Sequence, residues 1–139
     1  MKRYLYFIVL AVFLISCSDG APVVGTWVKS DSKSNQSLGV SMGMVSVMKL
    51  KGNGNYEEVH EIQGKVEGGT ESGGSVSFRL FGKWEIPSED KLIIHVEKCY
   101  VGEREFENKK DVEYTIINIS KDRMELMSGG DIDIYERKR

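Results

Sequence analysis

Apolar and polar residues alternate along most of this chain, and the period is two. The clearest run is Ser75–Ile86. Val76, Phe78, Leu80, Trp84 and Ile86 share one parity, with Gly82 in the gap. Ser75, Ser77, Arg79, Lys83 and Glu85 share the other. Such alternation predicts a strand with one buried and one wet face. A glycine in mid-strand marks a bend or bulge. The same reading gives a first strand over Val23–Lys29 and a second over Met42–Lys51, with Met44, Met48 and Leu50 on one face. A third covers Tyr56–Ile62. Gly52-Asn53-Gly54-Asn55 is the hairpin turn between the second and third, since these residues tolerate positive φ. Leu92, Ile94 and Val96 define a fifth strand, and Val112, Tyr114 and Ile116 a sixth. Ile117 and Ile119 switch parity, which predicts a bulge. Met124 with Leu126, and Ile132 with Ile134, define the last two.

Between these strands lie polar or glycine-rich stretches. Ser30–Ser41 reads as a long loop, Gly64–Gly74 as a flexible connection with five glycines, and Gly102–Lys110 as a charged connection. Pro87–Asp90, Ser120–Asp122 and Ser128–Gly130 read as turns. No stretch of ten or more residues shows a 3.6-residue apolar period with caps. Eight strands in a meander can close on themselves, which removes the edges that would otherwise aggregate. The fold class expected is therefore all-β, an eight-stranded antiparallel up-and-down β-barrel. An open sandwich is the alternative. A barrel of eight strands is just wide enough to be filled by side chains or to hold one small ligand.

The N-terminus breaks the alternation. Tyr4–Ile15 is an unbroken apolar run of twelve residues behind Lys2 and Arg3. A membrane-spanning helix needs about 20, whereas a signal-peptide core needs about 7–15 with a positive flank. The run ends in Leu14-Ile15-Ser16-Cys17, which resembles the signal of bacterial lipoproteins. The resemblance implies cleavage before Cys17, with lipid such as palmitate on that cysteine. Residues 1–16 would be the signal peptide, 17–22 a lipidated tether and 23–139 the barrel domain. It further implies an anchored protein in the bacterial cell envelope, at the outer membrane, with the membrane as partner through the N-terminal lipid.

Cleavage would leave 17 basic against 21 acidic residues. That balance offers no electrostatic footprint for nucleic acid. With Cys17 lipidated, Cys99 would have no partner in the chain, so no disulfide is expected.

Gly25-Thr26-Trp27 near the mature start matches a G-x-W motif. Leu50–Tyr56, Gly82-Lys83-Trp84-Glu85-Ile86 with Asp90-Lys91-Leu92, Tyr114-Thr115-Ile116 with Met124-Glu125-Leu126, and Tyr135-Glu136-Arg137 follow in order. Together they resemble lipocalin-like lipoproteins of the Bacteroidetes type over nearly the whole mature chain. The resemblance implies that Gly25, Trp27 and Arg137 form a structural signature, with the guanidinium stacked on an indole that plugs the closed end. It also places Ser30–Ser41 as a lid. There is no T-D-Y motif and no helix after the last strand, departures that bear on how roomy the calyx is.

Several residues carry chemistry in principle. His95 and Cys99, four apart on one strand, would stand about 13 Å apart at ~3.3 Å per residue, too far to share an ion. His95 and Glu97 face away from Leu92, Ile94 and Val96 and read as a wet surface pair. His60 stands alone. Met42, Met44 and Met48 could bind soft copper, but methionines more often fill cores and adaptable surfaces. Asp131 and Asp133 lack the oxygens that calcium requires and read as charge on an exposed hairpin. No G-x-S-x-G setting, zinc-spaced cluster or phosphate loop occurs. The expected function is non-enzymatic binding of a small apolar or amphipathic ligand, with no cofactor and no metal. Met44, Met48, Phe78, Leu80 and Tyr114 are the expected lining. The alternative is a filled barrel acting as an interaction or inhibitor module on a protein partner in the envelope.

Overall fold

The structure is a computed structural model that describes residues 22–35, 40–66 and 75–139. Its strands are β1 (Gly25–Asn35), β2 (Val40–Leu50), β3 (Asn55–Val66), β4 (Ser75–Ser88), β5 (Lys91–Val101), β6 (Arg104–Ile119), β7 (Arg123–Ser128) and β8 (Asp131–Arg137). Each pairs antiparallel with its chain neighbour, and β8 returns to β1, which closes an eight-stranded barrel. The meander read from the alternation is this barrel. The expected signal peptide, residues 1–16, and all of the expected tether, residues 17–22, except Pro22 lie outside the described residues.

Several stretches differ from expectation, among them Gly64–Val66, expected to begin a flexible connection but paired with Val40–Met42 as the end of β3. Ser30–Asn35 is not loop but the far half of β1, paired with Val45–Val40 of β2. Main-chain ladder bonds hold it, and these need no apolar side chains. Arg104–Lys110 is not a connection but the start of β6. Cross-strand charge supports it: Lys98 meets Glu105 at 2.9 Å. A stretch composed mostly of charged residues lacks the apolar alternation that announces the other strands.

Register decides which side chains point inward. Trp27, Met48, Leu50, Tyr56, Leu92, Ile94, Val96, Met124, Leu126 and Tyr135 form one buried core. Leu80, Trp84, Ile86, Val112, Tyr114, Ile116 and Ile119 pack around it. The core fills the end of the barrel where the chain enters, which serves as a floor. At the other end, where β1, β3, β5 and β7 finish and β2, β4, β6 and β8 begin, the barrel has a mouth. On β8 the inward positions are Tyr135 and Asp133, opposite Met124 and Leu126. Ile132 and Ile134 face outward and are exposed.

Closure between β1 and β8 is confined to the floor, at Trp27↔Arg137 and Val28↔Glu136. Arg137 holds it. Its Nη1 donates to Val24 O at 2.7 Å, Nη2 to Pro22 O at 2.8 Å and Nε to Lys121 O at 2.6 Å. Its guanidinium carbon lies 4.2 Å from the centre of a Trp27 ring. The Trp27 indole donates to Val23 O at 2.8 Å. Gly25 lets the guanidinium pass: with φ +150°, a Cβ there would meet Arg137 Nη1 at 2.3 Å.

Four register shifts curl the sheet, at Phe81/Gly82, Glu85/Ser88, Val96/Lys98 and Ile116/Asn118. The first and last are the bulges expected at Gly82 and Ile117. The shift at Val96/Lys98 overturns one expectation. It turns Cys99 onto the face of Leu80 and Phe106, its partners, rather than that of His95.

Gly82 lies against the β5 backbone, where an added Cβ would lie 1.9 Å from His95 O. Backbone cannot yield as a flexible side chain can. Gly82→Ala should cost about 3 kcal/mol, high in the usual range for a single substitution. Gly64→Ala, with nothing within 4 Å of the new Cβ, should change stability by less than about 0.5 kcal/mol. Urea denaturation of the two variants distinguishes them.

Candidate functional site

Above the apolar floor the inward positions turn polar. On β1, Trp27 is followed on the same parity by Lys29 and Asp31. On β2, Ser46 interrupts the methionines. On β3, Tyr56 is followed by Glu58 and His60, then Ile62. The β2–β3 register sets Ser46 directly opposite His60, and Met44 opposite Ile62.

These side chains form two linked groups. In the first, Ser46 Oγ and His60 Nδ1 are hydrogen-bonded at 2.7 Å, and His60 Nε2 lies 3.4 Å from Glu58 Oε1. The Tyr56 hydroxyl donates to Glu58 Oε2. Glu58 is only 5% exposed and Ser46 2%. In the second, the Lys29 ammonium is shared between Asp133 of β8 and Asp31, the latter at 3.2 Å. Burial works against the Lys29 charge, but Asp133 and Asp31 outweigh it and hold the ammonium above its ordinary range. Among the described residues every buried side-chain nitrogen and oxygen has a partner, as a stable buried network requires.

Glu58 extends its influence to the tyrosines. Burial is the larger cause and the Glu58 carboxylate the second in raising Tyr56, Tyr114 and Tyr135 above the ordinary phenol range. Tyr114 is pushed up to about 12. All three phenols therefore hold their protons, and that of Tyr56 is donated to Glu58.

At the mouth end, β1, β2 and β3 surround an open cavity of about 250 Å³ lined by Asp31, Met42, Gly43, Met44 and Ile62. Its wall is apolar, with Asp31 as the charged exception. The expected lining residues divide between levels. Met44 lines this cavity. Met48 lies fully buried below it in the core. Leu80 and Tyr114 pack against that core, and Phe78 is half-buried opposite His60. Gly25, Trp27 and Arg137 meet at the floor.

Two expectations are corrected. His60 is not isolated, because the β-register brings it to Ser46 and Glu58. Asp133 is not hairpin surface charge, because its parity turns it inward to Lys29. His60 was detectable in principle, as a polar residue on the parity of Tyr56 and Ile62; Asp133 was not, because Ile132 and Ile134 mark the other parity as the apolar one. Nor was the partner across the barrel, since that depends on register and closure. His95 is on the outer surface, hydrogen-bonded to Asp111 at 2.7 Å and 3.4 Å from Glu85.

Ser46, His60 and Glu58 stand in the order of a hydrolytic relay. The surroundings argue otherwise. Ser46 is sealed in the wall, and the mouth cavity is lined one step above it. As placed, the three residues satisfy one another. No group of three His, Cys, Asp or Glu side chains among the described residues is arranged to hold a metal.

The raised tyrosines set a pH dependence. An unfolded phenol ionises near pH 10, while Tyr114 retains its proton to about 12. Above pH 10 the unfolded state thus binds fewer protons than the native state, and stability falls as pH rises. The stabilisation is complete below pH 10 and declines through the interval from 10 to 12. Tyr114→Phe should make this decline shallower, measured as urea midpoints at pH 8, 10 and 11. No protein-family model matches this chain and no curated protein matches it, so the functional reading depends on the chemistry inside the barrel.

Proposed function

We propose that this protein is a non-enzymatic binding barrel, tethered to the bacterial envelope through a lipid on Cys17, that takes a small apolar or amphipathic ligand at its mouth. The observation that carries the ligand reading is the cavity at Asp31, Met42, Met44 and Ile62. It lies above a filled floor and beside charged groups. Ligand sites are commonly apolar concavities with a few placed polar groups, of about 300–1,000 Å³ for drug-sized molecules. A cavity of about 250 Å³ suits something smaller, such as a single short chain. Methionines fit such a wall because they repack around different shapes. Membership of the lipocalin-like lipoproteins is part of the proposal. Its supports are the eight-stranded barrel, the Gly25-Thr26-Trp27 start, the Arg137–Trp27 stack and the Leu14–Cys17 signal.

One observation favours the interaction-module reading. Val45, Ile132 and Ile134 are exposed on the outer face, and a groove of about 300 Å³ runs between β1 and β8 at Val28, Ser30, Ile134 and Glu136. Exposed apolar surface of this kind can mark a docking face.

The two readings separate with a neutral fluorescent probe, N-phenyl-1-naphthylamine. Bound at the mouth, it should lose tenfold or more affinity in Met44→Trp, which fills the cavity. Val45→Trp, on the outer face, should leave binding unchanged. The reverse pattern would favour the outer groove. For the tether, metabolic labelling with palmitate should mark the wild type and not Cys17→Ala; equal labelling would end the lipoprotein reading.

A further inference from the structure

We infer that the mouth cavity selects a cationic amphiphile, an ammonium group on a short apolar chain, and that Asp31 reads the charge. This deepens the ligand reading above and rests on it.

The starting point is an imbalance of charge. If the β1–β8 pairing continued past Val28↔Glu136 in the same register, Asp31 would stand directly opposite Asp133 on the inner face. Like charges set opposite each other across a ladder are destabilising. The pairing stops before that level, and Lys29 stands between the two carboxylates instead. One ammonium thus serves two carboxylates. Asp133 lies deeper, with its side chain 30% exposed, while that of Asp31 is 48% exposed and lines the cavity. The place for a second cation is therefore on the cavity side of Asp31.

The rest of the lining specifies the remainder of the molecule. Met42, Met44 and Ile62 offer apolar contact, so the cation must carry an apolar chain. Low-dielectric walls strengthen the attraction of a carboxylate for an ammonium relative to bulk water. An anionic head would face Asp31, with Asp133 behind it, and be rejected. Lys29 offers it little in return, because its ammonium is committed to the two carboxylates and is mostly buried. A neutral head would gain only the apolar term.

The test uses four probes of one chain length on the purified full chain, each below its aggregation concentration: octylammonium, octyltrimethylammonium, octanol and octanoate. Displacement of the neutral naphthylamine probe is measured at low ionic strength. Both ammonium probes should bind at least tenfold tighter than octanol, with octanoate weakest, and added salt should narrow the gap. In Asp31→Asn the ammonium affinity should fall to the octanol level while octanol changes less than twofold. Asp31→Glu, which keeps the carboxylate, should retain the preference. The unchanged octanol affinity shows that the Asn variant keeps its fold. Equal binding of all four probes by the wild type, or an ammonium preference that survives Asp31→Asn, would overturn the inference and leave the ligand reading intact. If none of the four displaces the probe, the ligand reading falls and this inference with it.

Discussion

The stack of Arg137 on Trp27 is the interaction on which this barrel depends. An eight-stranded meander needs one non-local closure, between its first and last strands. Here that closure covers only two residue pairs. So short a ladder is weak by itself. Arg137 reinforces it by tying three carbonyls, from Pro22, Val24 and Lys121, to one planar guanidinium laid over the indole. The planar fork suits this role better than a lysine would, because its donors are fixed in direction. The Trp27 side chain fills the floor beneath it, so one contact joins barrel closure to core packing.

The charged groups above the floor follow from the same closure. Since β1 and β8 part after Val28, the inner positions of both strands are free to carry side chains that would clash electrostatically in a paired ladder. Lys29, Asp31 and Asp133 occupy those positions. The adjoining wall, where β2 and β3 stay paired, carries the hydrogen-bonded Ser46 and His60 together with Glu58. The interior thus divides by strand pairing: an ion-paired side along the open seam, and a hydrogen-bonded side along the zipped one.

Most of the fold was legible because burial imposes a period of two. Ser75–Ile86 and Leu92–Val96 show it plainly, and the short turns at Gly52–Asn55, Pro87–Asp90, Ser120–Asp122 and Ser128–Gly130 set four of the antiparallel pairs. What could not be read depends on geometry that period alone does not carry. The strand at Arg104–Lys110 is held by its ladder to β5 with one cross-strand ion pair, Lys98–Glu105, and its residues resemble a linker. Cys99 changes face because a bulge two residues earlier shifts the parity count. Met44 on the cavity wall could be named from its face, whereas Met48, four residues along, lies in the sealed core. The difference is height within the barrel, which alternation does not encode. Asp133 was misplaced because Ile132 and Ile134 look like the buried set of their strand. On a short last strand whose outer face stays apolar, hydrophobicity points the wrong way.

The chain enters beneath the floor, where Pro22 and Val24 are held by Arg137. If Cys17 carries the lipid, five peptide units separate it from Pro22, a reach of at most about 18 Å when fully extended. That leash would hold the Trp27 end against the bilayer and direct the Asp31 mouth outward, away from it. A molecule entering the barrel would then arrive from the aqueous side, and a lipid drawn from the same bilayer would have to travel the full height of the barrel wall to reach the opening.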